Sequence, residues 1–264
     1  MLNDFNSIFQ NYLPVSPWHE LYLKKLPGIN PLDRNDWIVV DSAFNKQMQY
    51  ADYLLKNYRN NVLNINLCAI EASKELLENI LDAIKNVDGY KISSKSITRP
   101  DGCIVNLDWE QTLLTARSIV QQDLCIMMQS NEEHFLAAAA MCFPASWKLS
   151  EKIMQPMSVI HKPVDEFTDN IGKRVERMFS MMRPDQDMWR ANWLIYNDPN
   201  LYQPRRASES RPKDSSKEQW VRVERQSFCK LPNTKAIIFG IHTYLVPFSC
   251  LTDNQKVTLG NIIN

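Results

Sequence analysis

The spacing of apolar residues changes character along the chain, helical in its middle and strand-like toward its end. Asn45 to Arg59 and Cys68 to Val87 read as amphipathic helices, the second with Ile70, Leu77, Leu81 and Ile84 at spacings of three, four and seven. Glu110 to Gln122 repeats the pattern with Leu113, Ala116 and Val120, and Leu124 to Met128 follows as a short buried strand. Phe135 to Phe143 is ambiguous, because its four alanines favour helix while its brevity and flanks favour strand. Ser146 stands where a helix cap for Trp147 to Ile153 is expected. Asp165 to Met182 carries Phe167, Ile171, Val175, Met178 and Met182 on one helical face, and Pro184 marks its exit.

After Pro184 the period shortens to two. Trp189 to Tyr196, Trp220 to Cys229 and Ala236 to Val246 read as strands, the last with Ile237, Phe239, Ile241 and Leu245 on one face and Ile238, His242 and Tyr244 on the other. Helices followed by a carboxy-terminal sheet predict an α+β domain. The 264 residues carry no internal repeat and no composition break, so the expectation is one domain spanning 1–264. Within it, residues 1–44 are interrupted by Pro14, Pro17, Pro27 and Pro31 and should wrap over the rest, anchored by Trp18 and Trp37. Arg205 to Gln219 lacks large apolar residues, which predicts a mobile loop over 205–219.

Charge narrows the function classes. Thirty basic and thirty acidic residues cancel, so no overall field draws the protein to nucleic acid or to an anionic membrane. Six scattered glycines make neither a GxGxxG nor a GxxxxGK loop, which removes the familiar nucleotide-binding fingerprints. The longest nearly apolar run, Phe135 to Pro144, is half the ~20 residues a membrane-spanning helix needs. Met1 to Gln10 does not read as a signal peptide, so a cytoplasmic protein is expected. Cys68, Cys103, Cys125, Cys142, Cys229 and Cys250 form no CxxC pair and are expected to be buried, reduced thiols.

Hydrolase patterns such as GxSxG and HExxH are absent. Polar residues embedded in strand-like or aromatic segments stand out instead. His161, after Val159 and Ile160 and two residues before Pro163, is expected at the end of an extended segment, rigid enough to serve a metal or haem iron, or to be a hydrogen-bonded turn histidine. In Trp220 to Cys229, alternation puts Arg222, Glu224 and Gln226 on one face and Val221, Val223 and Arg225 on the other. Arg222 or Arg225 would suit the carboxylates of a cofactor and Glu224 a cationic substrate; a solvated cross-strand ladder is the alternative. Arg190, Asn192 and Trp193, with Trp189, read equally as a pocket wall or a core edge.

Five blocks, in this order, give the chain a family resemblance. They are Val120 to Met127, Ala140 to Trp147 followed by Glu151-Lys152, Ile160 to Val164, Arg190 to Trp193, and Arg222 to Gln226 with Leu231-Pro232. On these blocks the chain resembles the haem-dependent oxidative N-demethylases, and the resemblance covers the segments from about Trp37 to Leu251. The resemblance implies a PAS-like antiparallel sheet with additional helices, one haem b, a histidine on its iron, and removal of a methyl group from a small secondary amine, such as a dimethylamine-like compound, with release of formaldehyde. It also implies that electrons come from an external flavin reductase, which agrees with the missing nucleotide motifs. On this reading His161 is the iron ligand, Glu224 meets the amine, and Arg222, Arg225, Arg190, Asn192 and Trp193 line the haem. The chain departs from the family at Val164-Asp165-Glu166, where a second proline is expected, and at His242, where arginine is expected. His242 thereby becomes a second candidate ligand. A haem-based sensor or carrier without turnover, and a cofactor-free interaction module, are the rival readings.

Overall fold

The computed structural model describes residues 8–20, 23, 28–131, 133–161, 169–206, 209 and 218–263. Its elements run in the order β1 (Asn30–Pro31), α1 (Phe44–Asn57), α2 (Arg59–Val62), β2 (Leu63–Ile65), α3 (Ile70–Ala83), β3 (Lys91–Ile92), β4 (Ser96–Thr98), β5 (Ile104–Asn106) and α4 (Thr112–Ile119). Next come β6 (Asp123–Ser130), β7 (Glu133–Ala140), α5 (Leu149–Lys152), α6 (Met157–His161), α7 (Asp169–Met181), β8 (Met188–Tyr196), β9 (Trp220–Lys230), β10 (Ile237–Pro247) and α8 (Asp253–Ile263). The loop expected at 205–219 lies mostly outside the described residues.

Seven strands form one antiparallel sheet in the order β1-β8-β9-β10-β6-β7-β2, and β3, β4 and β5 form a small second one. The five long strands, β7-β6-β10-β9-β8, make the open α+β arrangement expected of a PAS-like domain, with α5, α6 and α7 inserted between β7 and β8. Paired residues share a side, so the sheet has two distinct faces. The inner face carries Arg190, Asn192, Glu224, Gln226, Phe228, Ile241 and Cys125, and the outer face Trp189, Trp193, Val223, Arg225, His242, Ile238 and Ile126.

The outer face is covered by the long helices. Leu76, Leu77 and Ile80 of α3 and Ala116 and Ile119 of α4 pack onto Leu124, Ile126, Ala138 and Ile238 in one buried cluster. The described part of the amino-terminal segment packs beside them: Trp18 and Leu13 share a cluster with Val221, Val223 and Tyr244, and Trp37 is wholly buried. Gln10 pairs its backbone N–H with the Leu245 carbonyl at 3.0 Å, and its side chain takes up the Leu245 N–H at 2.7 Å. Glu75 of α3 accepts the N–H groups of Asn233 and Thr234, which pins the turn between β9 and β10 to the helix layer. Gly240 lets β9 and β10 approach, since a Cβ there would lie 2.6 Å from Ser227 Oγ.

The inner face is covered by α5, α6 and α7, whose Leu149, Met157 and Phe179 join Cys125, Met127, Phe228 and Ile241. Where β10 runs on past the start of β6, α1 closes the gap, and Gln47 donates to the Thr243 carbonyl. There Arg117 and Asp123, both fully buried, pair at 2.9 Å, and the same carboxylate accepts the N–H groups of Cys142 and Phe143.

One open alternative is decided and three local expectations need correction. The alanine-rich segment is strand, because Ala138, Ala139 and Ala140 pair with β6 on one side and β2 on the other; a long-range ladder outweighs helix propensity. Ser146 caps no helix: it takes a positive φ of 64°, and α5 begins three residues later behind Lys148. His161 ends a helix rather than an extended segment, because the Pro156 carbonyl accepts from Val159 and Ile160 and opens a turn of helix that the β-branched pair joins. Of the six free cysteines, Cys125, Cys142 and Cys229 are buried, but Cys68, Cys103 and Cys250 are exposed.

Candidate functional site

The helix that carries His161 is short and held at both ends. Pro156 fixes its first turn, and the Lys152 ammonium donates to the Ile160 carbonyl at its last. His161 Nδ1 lies 3.0 Å from the Met157 carbonyl oxygen, which can only accept, so Nδ1 carries the proton. Burial, with Lys152 and Arg190 nearby, pushes the ring's pKa down to about 4. At neutral pH the ring is therefore uncharged and its lone pair sits on Nε2, the tautomer a metal ion needs.

The sheet presents Arg190, Asn192, Arg222, Glu224 and Gln226 to the same side as this helix. Asn192 stands directly opposite Glu224 across the β8–β9 ladder, and Arg190 opposite Gln226. Glu224 is 8% exposed; one of its oxygens is 3.3 Å from Arg222 and the other accepts from the Gln226 amide at 3.2 Å. Arg222 is bound in place, donating also to the carbonyls of Leu201 and Phe143. Burial lowers Arg190, an effect that Glu224 offsets only in part, and its buried Nε has no hydrogen-bond partner among the described residues. Among the described residues Arg222 Nε likewise has no partner. Lys152, lowered by burial, sits 5.6 Å over the Trp147 ring.

The charges on this side of the sheet are unevenly paired. Among the described residues, Lys152 and Arg190 lie near His161, Glu151 partly offsets Lys152, and Glu224 is shared between Arg222, its ion-pair partner, and Arg190. Buried cations are costly unless paired, so the arrangement favours a ligand with negative charge. It also excludes protons from His161. Cys125, close enough to feel Glu224, is pushed up by burial and by the carboxylates of Asp123 and Glu224, which keeps it a neutral thiol.

Two residues expected in this site lie on the other side of the sheet. Strand alternation turns Arg225 to the outer face, where its Nη2 donates to the Asp36 carbonyl and its guanidinium lies 5.3 Å from the Trp189 ring. Trp193 is also on the outer face, edge-on to Trp18 at 5.3 Å. The structure thus brings His161, Arg190, Asn192, Arg222 and Glu224 to one side and separates Arg225 and Trp193 from them. The rival histidines are engaged elsewhere. His242 is on the outer face with Nε2 2.9 Å from Asp41, whose carboxyl burial would raise but whose hydrogen bonds from His242, Gln121 and Gln10 hold it low. His134 pairs with Glu176 at 2.6 Å, and His19 is exposed.

Lys152 is the site residue that residue-by-residue reading leaves without a role. Its signal was present, nine positions before His161 and five after Trp147, but only the fold turns that spacing into contact. Among the described residues no three histidine, cysteine, aspartate or glutamate side chains gather as a protein-only metal centre, and no helix is long and apolar enough to cross a membrane. A single imidazole matches a metal that brings its own ligands.

No individual curated protein matches the chain. Residues 28–263 match the family described as haem-dependent oxidative N-demethylase, alpha subunit-like, which is most of its length. With five sequence blocks in order, a PAS-like sheet and a neutral histidine beside buried arginines, the chain belongs to the haem-dependent oxidative N-demethylase alpha-subunit-like family.

Proposed function

We propose that the protein is the haem-bearing oxygenase component of an oxidative N-demethylase, with haem b lying between the inner face of the sheet and α6 and with His161 on the iron. One observation carries this reading: a neutral imidazole with its lone pair on Nε2 lies near Arg190, a buried guanidinium whose burial Glu224 offsets only in part. The residues fit the group. His161 supplies the nitrogen, and Arg190, with its unpartnered Nε, and Lys152 supply positive charge for the two propionates. Arg222 already serves two backbone carbonyls and Glu224, so its part is to hold Glu224 in place.

When bound, haem would supply dioxygen activation. In the overall change, an N-methyl amine, dioxygen, a pair of electrons and a pair of protons give the demethylated amine, formaldehyde and water. The electrons come from outside, in our reading from a flavin-dependent reductase, since the chain has no nucleotide-binding motif. Glu224 would bind the amine: each carboxylate oxygen has lone pairs beyond those used by Arg222 and Gln226, and an amine N–H can donate to them. The surrounding cations disfavour an extra ammonium, so the amine would bind neutral, with its own lone pair intact. Asn192, directly opposite Glu224, would set which end of a small amine points inward. A cytoplasmic location accords with a reductase partner and belongs to the same proposal.

The test is hemin titration into the protein, followed by dimethylamine with a flavin reductase and its reduced nicotinamide. A Soret band with stoichiometric uptake and formaldehyde release that needs the amine is expected. A colourless protein that takes up no hemin overturns the haem assignment, and a haem protein that releases no formaldehyde from any small secondary amine leaves the sensor reading in its place. Glu224→Gln should weaken the amine-induced spectral shift about tenfold or more and leave the haem spectrum unchanged.

A further inference from the structure

The residue that the haem reading loses has a site of its own. Arg225 lines an open cleft of about 720 Å³ on the outer face, on the far side of the sheet from His161. Ile38 and Val40 give it apolar walls and Trp189 an aromatic one, and Asp36 and Asp88 stand exposed at its rim. That size suits a small-molecule ligand.

Arg225 is 7% exposed, and its guanidinium is only half used. Nη2 donates to the Asp36 carbonyl at 2.8 Å, while the buried Nη1 has no hydrogen-bond partner among the described residues. Burial lowers its pKa, and Tyr244, Asp36 and Cys229 offset this only in part. A buried guanidinium with a spare donor asks for an anionic acceptor, and a carboxylate matches it best. The Trp189 ring, already 5.3 Å from the guanidinium, offers a flat surface next to that donor. At the mouth the charge is reversed, because Asp36 and Asp88 are exposed carboxylates and would repel a simple anion. A ligand that satisfies both ends has opposite charges at its two ends.

We propose that this cleft is a second ligand site, for a small planar molecule with a carboxylate at its inner end, on Arg225, and an ammonium at its outer end, between Asp36 and Asp88. The site is separate from the haem-bearing face, being divided from it by the thickness of the sheet. It gives the chain a place to sense or hold an amino-carboxylate without blocking the amine site.

The probe is 4-(aminomethyl)benzoate, titrated calorimetrically into the protein as isolated, with whatever haem it carries. One saturable site is expected, with a Kd in the millimolar range or tighter and no movement of the Soret band. Two analogues divide the recognition: 4-methylbenzoate, which lacks the ammonium, and 4-(aminomethyl)benzamide, which lacks the carboxylate. The first is expected to bind several-fold more weakly and the second at least tenfold more weakly. Arg225→Gln should reduce affinity at least tenfold. Val40→Trp, which fills a half-exposed wall and leaves Arg225 untouched, should do the same in a protein whose thermal midpoint is unchanged. Absence of saturation, equal binding of the carboxamide, binding that survives Val40→Trp, or a Soret shift that tracks occupancy each overturns the proposal.

Discussion

The two faces of the sheet are built from the same strands but solve different problems. On the outer face, α3 and α4 lay two long apolar stripes over Leu124, Ile126 and Ile238, and polar groups such as His242 and Asp41 find each other. The inner face is covered by α7, thirteen residues long, and by α5 and α6, only four and five, which bring Lys152 and His161 beside Arg190, a buried cation that Glu224 offsets only in part. The apolar stripes of α3 and α4 bury area and hold the fold, whereas α6, fixed by Pro156 and Lys152 rather than by its own length, holds one side chain at a chosen position. Core burial and the proposed chemistry would thereby fall on opposite sides of one ladder.

The largest effect should come from the pin where the two sides meet. Asp123→Ala removes the partner of Arg117 and orphans the N–H groups of Cys142 and Phe143, so it should cost roughly 3–5 kcal/mol or prevent folding, read by urea unfolding. Ile80→Ala, in the wholly buried outer cluster, should cost ~2–5 kcal/mol without altering hemin uptake. If it abolished uptake in a folded protein, the division between faces would fail. His161→Ala should do the opposite: lose the native Soret band, regain part of it with added imidazole, and change the stability of haem-free protein by no more than ~1 kcal/mol.

A titration sharpens the contrast further. His161 binds its proton at about 4 when folded and near the ordinary histidine value of ~6.5 when unfolded. Its contribution to haem-free stability is therefore complete above ~6.5, falls as the pH drops toward 4, and levels off below that. Subtracting the profile of His161→Leu from wild type should show that fall, and a flat difference would mean the ring is solvated. The smallest effect belongs to Arg190→Met. Removing an under-compensated buried cation should leave haem-free protein equally stable or more stable by up to ~1 kcal/mol, while hemin dissociates faster.

What could be read in the sequence follows the range of the interaction. The alternation of β9 correctly separates Arg222 and Glu224 from Arg225, because facing within a strand is a local property. The same alternation, followed strictly, also argued against gathering Arg225 and Trp193 at the haem with Glu224. Asp41 beside His242, 201 positions apart, had no local signature. Nor had the strand character of Ala138 to Ala140, whose partners lie in β2 and β6. The helical state of Val159 and Ile160 is hidden for another reason: the Pro156 carbonyl, on the amino-terminal side, sets their backbone, whereas a proline on the carboxy-terminal side favours an extended neighbour. How Lys152 comes to the His161 helix depended on a turn of fold that no period in the chain encodes.

Gln10 bonds to Leu245 across 235 positions of chain, by backbone and by side chain at once. At a ribosome's ~5–20 residues per second, the first partner waits roughly 10–50 s for the second to be made. During that interval Leu13 and Trp18 lack the strand residues Val221, Val223 and Tyr244 that cover them. The late strands β9 and β10 are what shelter them, so the rate of synthesis and the supply of holding chaperones should govern the yield of this protein more than its final stability does.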